Sequence, residues 1–268
     1  MSTARVVVVA ALLSAFGSAA SAEEPASLAK ARTLYNASNY EGAIDAASVA
    51  RKDATWADAA SLVIARSYLE RYRLQADVED LAAARDALNA VRATALNPRD
   101  YVDYIVGLGL SLYLGESYGA AAELFDTALG RASLLPQRDQ LLLLDWWATA
   151  LDREGQVRSS DRRPAGFARI GARMEEEIRR EPGNAVANYW IAVAARGRGD
   201  IDAAWNYAVA AWVRSRLSPD VEKLRVDLDR LMTQALIPER ARTIVARDPQ
   251  EGLAALRTEW EILKQQWK

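Results

Sequence analysis

Two carboxylates held in one pocket can run glycoside hydrolysis, one as acid and the other as nucleophile or base. Asp145 with Asp152, and the run Glu175-Glu176-Glu177, are the pairings this chain offers for that chemistry. A chain with 36 acidic residues forms many such pairs on solvated faces, and nothing in the flanking sequence builds a pocket or raises a pKa. The absences narrow the chemistry further. There is no His and no Cys, so a structural zinc site, a thiol nucleophile, a redox pair and a Ser-His-Asp relay are all excluded within this chain. A Gly-rich phosphate loop and an H-E-x-x-H motif are also missing. The expectation is a protein with no catalytic residue, no metal and no cofactor.

Aromatic residues are the other candidates for a site. Trp146-Trp147 could form a stacking platform, but an indole buries so much apolar area that a place in the core is the stronger expectation. Trp205 and Trp212 fall on one face of a helical stretch and read as packing residues too. The segment "VRSSDRRPAG", ending at Gly166, reads as a solvated loop in which Arg162-Arg163 offers a weak anion site.

The elements that would carry these residues begin after a leader. "MSTARVVVVAALLSAFGSAASAEE" has one basic residue, Arg5, then an apolar run from Val6 to Gly17, then Ala20-Ser21-Ala22 before two glutamates. Those are the three parts of a secretory signal peptide over residues 1–22. The apolar run is too short for an anchor, which needs about 20 residues to cross a bilayer. With no Cys after the cleavage site, a lipoprotein anchor is excluded. The mature chain is expected to be exported, periplasmic or secreted, with no integral membrane segment. Its mixed, nearly balanced charge, −2 overall, gives no footprint for nucleic acid.

From Ser27 the apolar spacing is helical, punctuated by Gly, Asn, Asp and Pro. In "LGLSLYLGESYGAAAELFDTALGRASLLP", Leu108-Gly109 precedes Tyr118, Ala121, Phe125 and Ala128, and Pro136 closes the unit. In "IAVAARGRGDIDAAWNYAVAAWVRSRLSP", Ile191-Ala192 precedes Ile201, Ala204, Ala208 and Ala211, and Pro219 closes it. Ala31 with Tyr40, Ala43, Ala47 and Ala50 repeats the arrangement, and Ala83, Ala87, Ala90 and Pro98 repeat its second half. Small residues at steps of three and four lie on one helix face and let a partner helix approach closely. Gly109, inside a helix, loses about 1 kcal/mol of propensity against Ala, so something must press against it.

The arrangement resembles the tetratricopeptide repeat, with its Leu-Gly/Ala pair, aromatic, Ala, Phe, Ala and terminal Pro. The resemblance covers Ala26 to Pro219. Its units are spaced more widely than the ~34 residues of that family. It implies an all-α fold, a right-handed solenoid of about five helix pairs over residues 23–218, with a helical capping segment over 219–268. The family's first helices line a concave binding groove. Carried onto this sequence, the lining is Leu110 with Tyr113, Val193 with Arg196, Arg32 with Tyr35, Arg66 with Leu69, and Thr149 with Asp152. Arg32 and Arg66, at equivalent places in successive units, could together grip a carboxylate.

Beyond Pro219, "DVEKLRVDLDRLMTQAL" reads as an amphipathic helix that stops before Pro238. The stripe Leu253, Leu256, Trp260, Leu263 and Trp267 reads as the face of a capping helix, with a coiled-coil seam as the alternative. The function expected is a monomeric, non-catalytic scaffold that binds envelope proteins or peptides. The rivals are an envelope enzyme acting on peptidoglycan or glycan through carboxylates, and a self-assembler that uses the C-terminal helix.

Overall fold

The computed structural model describes residues 24–157, 163–244 and 249–268, and the described residues form helices without a strand. The leader and Arg162 lie outside the described residues. The chain divides into two compact units, one running to Ala150 and the other starting at Leu151.

The first unit holds α1 (Ala26–Asn36), α2 (Tyr40–Ala50), α3 (Ala57–Gln75), α4 (Val78–Asn89), α5 (Pro98–Leu114), α6 (Tyr118–Leu129) and most of α7 (Gln137–Val157). The starts follow from capping chemistry. Asn39 accepts the amide of Gly42, Asp77 that of Glu79, and Asn97 that of Asp100 with Pro98 in the first turn. These helices pair as hairpins, α1 with α2, α3 with α4 and α5 with α6. Each hairpin turns through one residue in the left-handed region: Ser38, Ala76 and Glu116 at φ 60°, 57° and 63°. First helices lie beside one another, α1 against α3 and α3 against α5, while α2 leans on α3 and α4 on α5. α3 is therefore enclosed by four neighbours, and nearly every residue from Asp58 to Glu70 is buried.

The small-residue faces pack as their spacing requires. Ala43, Ala47 and Ala50 on α2, and Ala121, Phe125 and Ala128 on α6, are all buried. On α4 the register differs from the sequence expectation. Ala83 is only half-buried and Ala90 is exposed, and the packed face is Leu81, Ala84, Ala87 and Leu88, with Val91 just beyond. The larger Leu and Val side chains remove more apolar area from water than an alanine stripe would, so they set the rotation of the helix.

The second unit holds the end of α7, then α8 (Arg163–Arg180), α9 (Ala185–Gly197), α10 (Ile201–Arg214), α11 (Val221–Leu231), α12 (Ile237–Ile244) and α13 (Pro249–Gln266). α8 begins at Arg163, so the stretch Arg163–Gly166, read from sequence as loop, is its first turn. α9 packs on both α8 and α10, and α12 on α13. Ala204, Ala208 and Ala211 are fully buried in a core that also takes in Trp205, Trp212, Leu228, Met232, Ile237 and Trp260. Of the C-terminal stripe, Leu256 and Trp260 are buried in that core and Leu253 and Leu263 pack against it. Trp267 is largely exposed.

The helix expected to stop before Pro238 does not stop. α11 passes through a π-helical turn, Met232–Leu236, straight into α12, which contains Pro238. Proline has no N–H to donate and its ring crowds the carbonyl four residues back. The wider turn makes room for that ring, so the helix is irregular here and not ended. No described helix is long and apolar enough to cross a membrane.

Candidate functional site

In the first unit, the side chains read from sequence as groove lining converge on a buried charged cluster. Arg66 on α3 is 2% exposed. Its guanidinium carbon stands 4.8 Å from the ring centre of Tyr35 on α1, and one of its nitrogens is 3.6 Å from Asp103 Oδ1 on α5. Tyr35 is buried with it and packs its ring against Tyr40. Burial drives the Tyr35 hydroxyl far above the usual phenol value, with the Arg66 charge opposing in part. Arg32, on the same face of α1 as Tyr35, lies 3.2 Å from Glu24 and 4.0 Å from Asp100. Leu69 on α3 and Leu110 on α5 are buried.

The cluster continues through residues that the sequence reading did not single out. Arg99 on α5 reaches Asp103 at 3.4 Å and Asp139 on α7 at 3.7 Å, and donates to the Leu134 carbonyl at 2.9 Å. Glu70 on α3 has a fully buried side chain and accepts from Arg73 Nε at 2.8 Å. Neither oxygen of Asp103 has a hydrogen-bond partner among the described residues, so its compensation is by charge at slightly long range. Burial raises the carboxyls of Asp100 and Asp139 above the usual value, with Arg32 and Arg99 respectively the main opposing charges. Asp58, Asp100 and Asp139 occupy the first turns of α3, α5 and α7, and all three are buried. That recurrence of an acidic first-turn residue was the signal available in the sequence.

Tyr113 and Thr149 remain partly open. Tyr113 is half-buried, its ring edge-on to Tyr118 with centres 5.3 Å apart. Thr149 donates its hydroxyl to the Asp145 carbonyl at 2.7 Å along α7.

In the second unit, Asp152 is half-buried and accepts from Gln156 at 2.7 Å. Burial raises its carboxyl, with Arg153, the Gln156 hydrogen bond, Arg163 and Arg196 pulling the other way. Val193 is half-buried. Arg196, in the last turn of α9, is clasped by Glu239 of α12: its Nε lies 3.1 and 3.0 Å from the two carboxylate oxygens, and a terminal nitrogen donates to Oε1 at 2.6 Å.

Two of the three carboxylates in the α8 run pair within the helix. Glu176 and Glu177 bind Arg180 and Arg173 within the same helix. Trp147, 1% exposed, is a core residue, while Trp146 is half-buried with its ring 6.1 Å from that of Phe125. Trp205 and Trp212 are buried as their spacing suggests. Among the described residues, no group of three or more His, Cys, Asp or Glu side chains could hold a metal ion. No family model, curated protein or solved structure matches the chain.

Proposed function

We propose that the chain is an exported scaffold, similar to tetratricopeptide arrays, that binds other envelope proteins or peptides without catalysis or a cofactor. In this reading it is a right-handed solenoid of about five helix pairs, carried out of the cytoplasm by the leader at residues 1–22 and working in the periplasm or the medium. One observation carries the reading. Successive hairpins place α1, α3 and α5 side by side, each second helix seated on the next first helix, which is how repeat hairpins present one shared face.

Burial divides the roles of the candidate residues within each unit. Arg32 and Arg66 reach the aspartates of α5, Tyr35 packs against Arg66 and Leu69 is buried, so these residues set the positions of the first helices. Tyr113 and Thr149 in the first unit are half-buried, and in the second unit Asp152 is half-buried and Arg196 exposed; these are the side chains a partner of each unit would meet. Such a face suits a polypeptide ligand, recognised by scattered polar and aromatic contacts rather than by one deep pocket.

The test is crosslinking capture of the mature protein in its native envelope, followed by mass spectrometry. A folded Tyr113→Ala, Thr149→Ala, Arg196→Ala variant runs beside the wild type. A discrete set of proteins captured by the wild type and lost in the variant supports the reading. Identical capture by both, or turnover of an envelope polymer that an Asp or Glu substitution abolishes, overturns it.

A further inference from the structure

The contact between Arg196 and Glu239 has the geometry of a bound ligand. A guanidinium presents its donors in a planar fork that matches a carboxylate two-prong to two-prong. Here the fork is filled by a carboxylate from the chain's own C-terminal segment, 43 residues away. Both partners are open to water, the Arg196 side chain at 41% and Glu239 at 29%. The pair is thus accessible to exchange and not sealed in a core.

Two further observations separate it from an ordinary surface pair. Glu239 follows directly on Pro238 and the π-turn Met232–Leu236. That irregularity changes the rotation of the helix, and so fixes which way α12 aims its side chains. The next residue, Arg240, also reaches back, lying 4.5 Å over the Trp205 ring and 3.5 Å from Asp202 on α10. The second observation concerns charge. Arg153, Arg163 and Arg196 all stand close enough to Asp152 to act on its carboxyl. Arg196 thus serves two carboxylates, Glu239 directly and Asp152 through its field. Arg153 and Arg163 also act on Asp152, and Arg163 donates to the Gly155 carbonyl at 2.8 Å. Withdrawing Glu239 leaves the Arg196 fork empty.

We propose that Glu239 is an internal occupant of an acidic-ligand site built on Arg196 and flanked by Arg163 and Arg153, and that an acidic peptide segment of a partner exchanges with it. The inference rests on the scaffold reading and adds to it the chemistry of the partner and a built-in competitor. Glu239 sets the threshold: a peptide with a single carboxylate gains little over the intramolecular one, whereas a run of carboxylates also engages Arg163 and Arg153.

The experiment is a titration of the mature protein with fluorescein-labelled hexaglutamate, read by anisotropy at low salt, for the wild type, Glu239→Gln and Arg196→Gln. Removing an exposed competing carboxylate should tighten binding about two- to fivefold in Glu239→Gln. Arg196→Gln should lose binding. Equal affinity of wild type and Glu239→Gln, absence of binding by both, or undiminished binding by Arg196→Gln overturns the proposal. If thermal melts show Arg196→Gln unfolded, Arg196→Lys takes its place. It keeps the charge without the fork, so it must bind more weakly than wild type, and equal or tighter binding overturns the proposal. Envelope capture without any hexaglutamate effect would leave the scaffold reading intact and end this one. Tighter hexaglutamate binding by Glu239→Gln without envelope capture would do the reverse.

Discussion

Gly109 faces the ring of Phe125 so closely that a Cβ on the glycine would stand 2.6 Å from Cε1 and 2.8 Å from Cδ1. α5 and α6 cross at this point, and the absent side chain is what lets the phenyl ring lie against the backbone of the facing helix. Phe125 is fully buried, so the ring can yield only by displacing its neighbours. Gly109→Ala should therefore destabilise the first unit by up to about 2 kcal/mol, because an overpacking cost of about 1–3 kcal/mol outweighs the roughly 1 kcal/mol gained in helix propensity. Gly166→Ala, where the added Cβ meets nothing closer than the Leu151 carbonyl oxygen at 3.8 Å, is the matched control. Urea denaturation of the two variants checks the pair, and equal midpoints would remove the packing explanation.

Arg66 and Asp103 compensate each other inside the first unit. Removing one partner of a buried pair leaves the other charged and dry, so Arg66→Ala should cost about 3–5 kcal/mol. Replacing both by apolar residues of similar volume, Arg66→Met with Asp103→Leu, should recover most of that loss. The comparison is again a denaturant midpoint. A double variant no more stable than the single one would show that the pair has a role beyond charge compensation.

Asp100 and Asp139 set a pH dependence of unusual direction. Their folded-state carboxyls titrate above the ordinary value, so protonation favours the folded state. Their stabilising contribution is complete below the ordinary Asp pKa, near 3.9, and is lost as pH rises through the raised folded values. Asp229 behaves oppositely. Burial pushes its carboxyl up, but the hydrogen bonds from Lys264 and Trp260, with the Lys264 charge, more than offset this and leave it low. That contribution is present above the ordinary value and fades as pH falls through the lowered one. Thermal melts from pH 7 down to pH 4 should thus show Asp139→Asn gaining less stability on acidification than the wild type. A steeper gain in the variant would reverse the sign assigned to this site.

Glu116 turns the α5–α6 hairpin at φ 63°, a conformation that costs an L-residue roughly 1–2 kcal/mol. The equivalent turn between α9 and α10 uses Gly199 at φ 82°. Glu116→Gly should raise stability by roughly 0.5–1 kcal/mol, the relief of strain exceeding the added freedom of the unfolded chain. A lowered melting temperature would show that the Glu116 side chain contributes more than its backbone costs.

The helical hairpins were legible because their signals are local. Asn39, Asn97 and Asp200 cap the amides that follow them, and Ala121, Phe125 and Ala128 mark a crossing by spacing alone. The rotation of α4 was not, since alanines recur by chance in such a chain and only the competing burial of Leu81, Leu88 and Val91 decides between faces. Pro238 misled for a related reason: a proline reads as a stop, and the π-turn that accommodates it has no composition of its own. For the site, the repeat resemblance put Arg32, Tyr35 and Arg66 in the lining of a binding groove. The charges of Arg32 and Arg66 are answered by Asp100 and Asp103, which α5 brings to them by tertiary packing. Arg196 was flagged by position, whereas Glu239 comes from a segment whose fold the sequence did not reveal.

The enclosure of α3 has a consequence for synthesis. A helix touching only its sequence neighbours can settle as soon as it emerges into the compartment where the chain folds. α3 carries Arg66 and Glu70 into a dry interior; Glu70 acts on Arg66 only through its field, and the carboxylate that pairs with Arg66, Asp103, is on α5, which emerges later. Until α5 has emerged, closing α1 and α2 over α3 would strand that charge, so the nascent first unit should stay open through its first two hairpins and close in one step when the third arrives. The buried arginine thereby acts as a timer, postponing commitment until enough chain is present to complete the layer.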